Sequence, residues 1–215
     1  DYQVFASENQ GISGRWNSPL TNTATIPEPS DDYPAVWVSW KDAKDFCAWL
    51  SKKEGRVYRL PSDQEWSRAV GVWREERWRK DTTPDTVAVV EDVFPWGRSW
   101  PPPAGTGNFS DQSKKAKLPQ DRASSGYLEG YDDGFHLTSP VMTYRANEFG
   151  IFDLAGNVIE WCEDFSEVKN GYVIRGSSWR DSDRDLLRSS NRRTAPENYQ
   201  YPYLGFRVVL VSSGN

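Results

Sequence analysis

Two cysteines and one histidine are the side chains of this chain best suited to redox or nucleophilic chemistry. Cys47 and Cys162 stand in separate apolar and aromatic surroundings, where a free cysteine behaves as a small hydrophobe. We therefore predict two buried thiols rather than one disulfide. A site built from three histidines is excluded, because His136 is the only one. Nothing around His136 resembles a nucleophile placed next to its base, so a Ser-His-Asp arrangement is not expected.

Residues 179–203 concentrate the residue types that binding surfaces favour, since tyrosine offers a large contact area at a small loss of conformational entropy. If this segment is extended, alternation points the rings of Tyr199, Tyr201 and Tyr203 to one side. The candidate ligand-binding residues are Trp179, Arg180, Asp181, Ser182, Asp183, Arg184, Asn191, Arg193, Glu197, Asn198, Tyr199, Tyr201 and Tyr203. The alternative is a solvated loop whose tyrosines lie on the core.

The same segment permits a different chemistry through Asp181, Asp183 and Asp185. Clustered carboxylates can hold Mg²⁺ or Mn²⁺, and such a site would make the chain a metal-dependent enzyme. Arginines alternate with these aspartates and could neutralise them. A salt-bridged surface loop is therefore the favoured interpretation.

Charge and composition narrow the class of protein. The net charge of −5 and the pI near 5.1 do not favour a nucleic-acid surface. No apolar run approaches the ~20 residues that cross a bilayer, so membrane insertion is not expected. The chain has 11 Trp, 10 Tyr and 9 Phe but only 37% hydrophobic residues, which predicts a loop-rich fold packed around scattered aromatics. A length of 215 residues fits one domain, and the sequence leaves the compartment open.

Helices are predicted where caps and apolar spacing coincide. Ser39 begins a helix with apolar residues at helical spacing, and Gly55 ends it. Ser62 and Glu65 form a capping box that begins a second helix. A short helix is also predicted within residues 2–9.

The remaining elements are short strands separated by loops. Strands are predicted at residues 35–40, 56–60, 158–159, 172–175 and 206–210. Between them, a charged stretch at 71–93 is predicted as a surface insertion, and 94–150 is rich in Gly, Pro, Asp and Asn. So long a loop is uncommon without an embedded ion or ligand.

Six motifs, in this order, resemble the formylglycine-generating-enzyme (sulfatase-modifying factor) family. They are Val36-Trp37-Val38-Ser39-Trp40 with Asp42-Ala43, Tyr58-Arg59-Leu60-Pro61-Ser62 with Glu65-Trp66, Pro95-Trp96-Gly97, Gly156-Asn157-Val158-Ile159-Glu160-Trp161, Arg175-Gly176-Ser177-Ser178-Trp179 and Gly205-Phe206-Arg207. The resemblance covers about residues 33–210. It implies one α+β domain over 1–215 with a C-type-lectin-like fold, two main helices, short strands and extensive ordered loops.

The family's domain normally opens with a strand that this chain lacks. The resemblance therefore implies that the missing strand lies upstream in a longer protein or in a second chain. Without it, the edge of the terminal strand near 208–211 is open to pairing. One alternative function follows, namely a structural domain that mediates oligomerisation through this edge.

Oxidase members of the family use copper held by two cysteines, since soft thiolates suit Cu(I). The resemblance maps those cysteine positions onto Asp181 and a position near Leu186. Neither residue is a thiol, so copper-dependent oxidation is not expected. A second enzymatic branch holds iron with three histidines, and a chain with one histidine cannot form that site.

The resemblance also implies two calcium sites built from side-chain and backbone oxygens, the hard ligands that Ca²⁺ prefers. One maps onto Asp153, Gly156, Val158 and Glu160, and the other onto Asn108, Phe109, Asp133 and Phe135. In both, the residues without oxygen-bearing side chains would supply carbonyls. The alternative is that these acidic residues merely cap turns.

Taken together, the resemblance implies a non-catalytic branch of the family in which 179–203 lines the groove and binds a protein or peptide. Two kinds of relative fit this expectation. Retroelement-diversified variable proteins vary this segment on the same fold, and other members are C-terminal sensors fused to bacterial kinase or effector domains. The competing interpretation is the metal-dependent enzyme described above.

Overall fold

The computed structural model describes residues 1–18, 31–118 and 126–212. Within them the helices are α1 (Tyr2–Glu8), α2 (Trp40–Glu54), α3 (Asp63–Ala69) and α4 (Gln112–Lys117), and the strands are β1 (Val57–Arg59), β2 (Ile159–Ser166), β3 (Gly171–Arg175), β4 (Arg192–Ala195), β5 (Leu204–Phe206) and β6 (Val209–Val211). This is an α+β fold rich in loops, as predicted. In the described ranges no helix is long and apolar enough to cross a membrane.

The two main helices begin at the predicted caps. Ser39 Oγ accepts a hydrogen bond from the backbone of Asp42, whose carboxylate accepts one in return from the backbone of Ser39. Gly55 then ends α2 with a φ of 66°, a left-handed conformation that glycine adopts without strain. The same reciprocal capping box joins Ser62 and Glu65 at the start of α3.

Two sheets organise the core. The larger has the strand order β4-β3-β2-β5, in which β2 and β5 are parallel and the other pairs antiparallel. The smaller pairs β1 with β6. The main core cluster lies between α2 and the larger sheet and contains Val38, Ala43, Cys47, Leu60, Ile159, Trp161, Ile174, Ala195 and Leu204. Cys47 and Cys162 are both free and buried, as predicted, and burial raises the pKa of both thiols.

The predicted strand at 35–40 is wrong. Trp37 has a φ of 53°, which breaks the extended conformation. The segment also pairs with no single strand, because the backbone N–H of Val36 donates to the Trp16 carbonyl and that of Trp37 donates to the Tyr201 carbonyl. The segment is an irregular, buried approach to α2.

Two further differences concern the C-terminal third and the long loop. The predicted strand at 206–210 is divided between sheets, since β5 ends at Phe206 and β6 begins at Val209. Strand β4 was not predicted, because Arg192-Arg193-Thr194-Ala195 has no apolar alternation. Within the described parts of 94–150 the structure also forms a short helix, α4, which Asp111 caps by accepting a hydrogen bond from the backbone N–H of Lys114.

The insertion at 71–93 is on the surface for the most part, but it sends Glu76 into the interior. There Glu76 pairs with Arg175 and Arg192, which also pair with Asp63, and all four side chains are at most 7% exposed. Arg192 Nε lies 2.7 Å from Asp63 Oδ2, and its Nη1 lies 2.8 Å from Glu76 Oε1. Arg175 pairs with Asp63 and stacks over Trp66. We call these four charged residues the buried ion cluster.

Candidate functional site

The rings of Tyr199, Tyr201 and Tyr203 lie side by side, as alternation along the chain predicts. The ring centroids of Tyr199 and Tyr201 are 4.3 Å apart, and those of Tyr201 and Tyr203 are 5.0 Å apart. Trp37 lies nearly parallel to Tyr201 with its centroid 6.3 Å away. Together with Arg180, these four aromatic residues form what we call the tyrosine surface.

Backbone hydrogen bonds from two elements hold this segment in place. On one side, the N–H groups of Trp37 and Trp40 donate to the carbonyls of Tyr201 and Glu197, at 2.9 and 3.0 Å. On the other, the N–H of Ile159, the first residue of β2, donates to the Tyr203 carbonyl at 2.8 Å. The tyrosines are therefore carried by an irregular segment fixed to the start of α2 and to the central strand.

Arginines flank the aromatic rings. The guanidinium carbon of Arg15 is 3.7 Å from the centroid of the Trp37 ring, and that of Arg180 is 5.0 Å from Tyr203. Such cation–π contacts hold the rings and leave cationic groups beside them. A hydrogen bond with Tyr201 raises the pKa of Tyr199 to about 12, so its phenol stays neutral at physiological pH.

Trp179 and Asp181, two of the candidate ligand-binding residues, are buried beneath the surface. Trp179 is 4% exposed, and its indole N–H donates to the Pro202 carbonyl. Asp181 accepts hydrogen bonds from the backbone and hydroxyl of Ser178. Both side chains support the tyrosine surface from below.

The three aspartates proposed as a metal site are engaged locally. Asp181 Oδ2 lies 3.4 Å from Arg193, and Asp185 Oδ1 lies 2.8 Å from Arg188. Asp183 accepts a hydrogen bond from the backbone of Asp185. Across the described ranges, no group of three His, Cys, Asp or Glu side chains is arranged to hold a metal ion.

The other candidate ligand-binding residues are spread over the neighbouring loops. Glu197 and Asn198 are exposed beside Tyr199, whereas Ser182 and Asn191 are half-buried. Arg184 is exposed and its guanidinium pairs with an aspartate of the 71–93 insertion, 2.8 Å away. The structure thus brings together the two ends of 179–203, while the middle turns toward the insertion.

The site around Asn108 and Asp133 contains a buried oxygen without a hydrogen-bond partner among the described residues. Asp133 accepts hydrogen bonds from the backbones of Phe109 and Phe135, both at 2.8 Å, and its own backbone donates to Asp111. Burial raises the pKa of the Asp133 carboxyl to about 8, and the Asp111 carboxylate adds to this effect. Asn108 Oδ1 is buried and has no hydrogen-bond partner in the described part of the chain. The buried Asp111 carboxyl, the half-buried Asp133 carboxyl and the unpartnered amide oxygen of Asn108 are thus grouped, and oxygen ligands of this kind suit a hard cation.

The site around Asp153 and Glu160 fits less completely. Asp153 Oδ1 is buried without a partner among the described residues, while Oδ2 accepts from the backbone of Met142. Both carboxylate oxygens of Glu160 already have hydrogen-bond partners, because Arg207 binds both of them and the Trp66 indole donates to Oε2. Asp153 therefore offers an oxygen to a cation, whereas Glu160 is neutralised by an arginine.

Gly156 joins these two regions. It has a φ of 77°, and a Cβ added there would lie 2.0 Å from the backbone oxygen of Asn108. Only glycine allows so close an approach of two backbones. The neighbouring Val158, also predicted to supply a carbonyl, is buried at 8% exposure.

Sequence reasoning missed several residues that the structure places at these sites. Trp37 and Arg15 are far from the tyrosines in sequence, and the motif containing Trp37 was interpreted as a strand and as a family motif, not as part of the ligand-binding surface. Asp111 carried a detectable signal, since its position just before α4 marks an N-cap. The buried ion cluster carried none, because nothing local distinguishes Glu76 from its exposed neighbours.

Helices with capping boxes, short strands and long loops define an α+β fold of the formylglycine-generating-enzyme type. Two solved structures share it. The structure of PvdO from Pseudomonas aeruginosa has a TM-score of 0.63 at 23% identity, covering 97% of this chain and 75% of that one. Treponema denticola variable protein 1 has a TM-score of 0.57 at 18% identity, covering 93% of this chain and 78% of that one. Identities this low establish the fold alone.

The chain belongs to the sulfatase-modifying factor enzyme 1-like domain family, whose model matches residues 6–211. It is 30% identical over 170 residues to the inactive C-alpha-formylglycine-generating enzyme 2 of Bos taurus, covering 78% of this chain and 45% of that protein. It is 25% identical over 192 residues to the formylglycine-generating enzyme of Mus musculus, covering 87% of this chain and 42% of that protein. The chain spans less than half the length of these curated relatives.

Proposed function

We propose that this chain is a non-catalytic binding module that recognises a protein or peptide through the tyrosine surface. The observation that carries the proposal is the row of adjacent rings Tyr199, Tyr201 and Tyr203, held by backbone hydrogen bonds and flanked by Trp37 and Arg180. Tyrosines that are fixed in advance contribute contact area without a further loss of side-chain entropy on binding.

The chemistry of the same region supports a role in binding over oxidation. The positions that match the family's copper ligands are Asp181 and a residue near Leu186, and Asp181 is paired with Arg193. The chain's own thiols, Cys47 and Cys162, are buried elsewhere, and burial raises their pKa. A thiolate is needed to bind copper, so neither cysteine is a suitable substitute. The similarity to a relative named as inactive agrees with this interpretation.

We further propose that calcium stabilises the scaffold. At the Asn108 site, the side chains of Asn108 and Asp133 would bind the ion, with the carbonyls of Phe109 and Phe135. At the other site, Asp153 would contribute its free oxygen together with backbone carbonyls. A bound calcium ion would supply positive charge to buried carboxyls and fix the loops that carry them.

Selection from a random peptide display library tests the binding proposal. Peptides selected on the wild-type chain are expected to bind with micromolar or better affinity in calorimetry. Replacing Tyr199 and Tyr201 by alanine is expected to weaken the selected peptides at least roughly tenfold, because aromatic anchors dominate interface energies. Near-wild-type affinity in this double variant would contradict the proposal.

A matched control separates the surface from general stickiness. Phe149 is 56% exposed and lies outside the tyrosine surface, so Phe149→Ala removes an exposed ring without touching the proposed site. This variant is expected to bind the selected peptides like the wild type. Thermal unfolding of all variants checks that each is folded.

A further inference from the structure

A cavity lies away from the tyrosine surface. It has a volume of about 430 Å³, within the range of roughly 300–1,000 Å³ that small-molecule sites occupy. Its walls come from three stretches of loop, at 95–97, 103–106 and 145–155, and from the end of α3. None of its lining residues belongs to the tyrosine surface.

The lining of this cavity is mostly polar, but one part of it, which we call the floor, is formed by apolar side chains that belong to the core. Val70, Ile151 and Leu154 belong to one core cluster, while Trp96 and Ala155 belong to another, so the cavity opens between the two. Trp96 is fixed by parallel stacking on Phe94 at 5.0 Å and by a hydrogen bond from its indole N–H to Ser99. A hydrophobic group entering the cavity would find a preformed surface.

The rim carries two opposite charges, Arg145 and Glu148, and both side chains are exposed. They do not pair with each other, and neither side chain has an ion pair or hydrogen bond within 1–18, 31–118 and 126–212. Two unpaired charges of opposite sign beside an apolar floor are the complement of a small zwitterion with a hydrophobic side chain.

The loop that carries these charges is anchored rather than loose. Asn147, which lies between them, donates from its side chain to the Ala69 carbonyl at 2.6 Å. Its Oδ1 accepts from the backbones of Phe149 and Ile151, and its backbone N–H donates to Ile151. The separation of Arg145 and Glu148 is therefore set by a hydrogen-bonded turn fixed to the end of α3.

We propose that this cavity binds a free α-amino acid with an apolar side chain. Arg145 would receive the carboxylate, Glu148 the ammonium group, and the floor the side chain. Asp153 also lines the cavity, but its free oxygen is assigned above to calcium. Measurements made both with calcium and with chelator separate the two sites.

The test uses L-leucine, L-leucinamide and N-acetyl-L-leucine in calorimetry, with NMR detection of the Trp96 indole signal. Leucine is expected to bind and to shift that signal, and each blocked analogue is expected to bind roughly tenfold more weakly. In Arg145→Gln, leucine and leucinamide are expected to bind equally, because the carboxylate has lost its partner. In Glu148→Gln, leucine and N-acetyl-leucine are expected to bind equally.

Control variants share the substitution but lie elsewhere on the surface. Arg79→Gln and Glu129→Gln remove exposed charges outside the cavity and are expected to leave leucine binding unchanged. Absence of leucine binding at millimolar concentration would overturn the proposal. So would full-strength binding of either analogue to the wild type, since the blocked group would then not be recognised. These outcomes are independent of peptide binding at the tyrosine surface.

Discussion

At the scale of single residues, the tyrosine surface is defined by which parts of each ring are still available. Tyr201 is contacted by the rings of Tyr199, Tyr203 and Trp37. Tyr201 and Tyr203 also pack against the main core cluster and are only partly exposed. Tyr199, 37% exposed at the end of the row, keeps a free outer face. Recognition would therefore use Tyr199 as the stacking platform, with phenol hydroxyls beside it that can donate and accept hydrogen bonds.

Calcium binding is tested by one carboxylate. Asp133→Asn removes the charge that would attract the ion, so the rise in melting temperature that calcium gives over chelator is expected to disappear. In chelator near pH 7 the variant is expected to unfold at about the wild-type temperature, because the raised pKa of about 8 already keeps the Asp133 carboxyl largely protonated and the asparagine amide oxygen can still accept a backbone hydrogen bond. Differential scanning calorimetry with and without calcium measures both effects.

The control for this prediction is Glu129→Gln, which is expected to keep the full calcium-dependent rise. An equal rise in Asp133→Asn would show that calcium does not bind at Asn108 and Asp133. Asp153→Ala tests the other site in the same way, where a loss of stability of equal size in calcium and in chelator would exclude a bound ion.

The sequence was sufficient for residues whose neighbours are local. Tyr199, Tyr201 and Tyr203 alternate within five positions of the sequence, and this local pattern was enough to predict that their rings lie together. Trp37 joins them through a contact that spans most of the chain, and no local pattern indicates it. The same applies to Arg207, whose pairing with Glu160 leaves this carboxylate less available to the proposed calcium site around Asp153.

At the scale of elements, the Glu65 carboxylate stabilises the start of α3 through two interactions. Glu65 caps the helix by accepting from the Ser62 backbone and forms a two-pronged ion pair with Arg59, at 2.6 and 2.7 Å. The Arg59 pair holds the pKa of Glu65 at about 2. Because this pKa is lower when folded, the carboxylate stabilises the fold above its unfolded pKa of about 4.3. That contribution is lost as the pH falls toward 2.

Glu65→Gln is expected to lower the free energy of unfolding by about 1 kcal/mol at pH 7. The value is modest because the side chain is 38% exposed and solvent screens the pair. The difference from wild type is expected to shrink as the pH falls from about 4.3 to 2. Denaturant unfolding across this range measures it, and a difference that stays constant with pH would contradict the assigned ion pair.

Helices were easier to predict from the sequence than strands. A capping box depends only on two residues three positions apart, so the first residues of α2 and α3 can be predicted from the local sequence. A strand needs a partner, and β4 is a strand because β3 lies beside it, although three of its four residues are polar or charged. Residues 35–40 show the reverse. They are mostly apolar, but they do not pair with a neighbouring strand and therefore do not form one.

At the scale of the whole molecule, the buried ion cluster connects α3, the 71–93 insertion, β3 and β4. Four charged side chains with almost no solvent contact stabilise this arrangement only while every charge is compensated. The cluster makes the insertion part of the fold rather than an appendage, because Glu76 neutralises Arg175 and Arg192 from outside the sheet.

Glu76→Ala is expected to destabilise the protein by about 3–5 kcal/mol, since it leaves two buried arginines facing one aspartate. Glu75→Ala, one residue earlier and exposed, is expected to change stability by at most about 0.5 kcal/mol. Chemical denaturation of the pair measures the contrast. Equal stability of the two variants would mean that water or ions compensate the arginines and that the insertion is dispensable.

The smaller sheet has a consequence for how this protein is made. Tyr58 on β1 pairs with Leu210 on β6, so the two strands are separated by about 150 residues of chain. During synthesis, β1 leaves the ribosome long before β6 has been translated. Helix α2 can form as soon as it emerges, because its contacts are local, whereas the sheet of β1 and β6 cannot form until the end of the chain is made. Closing so large a loop late in folding is slow. Until residues 209–211 have been translated, the backbone groups of β1 that pair with β6 have no partner, so this strand is an open edge that can pair with other chains.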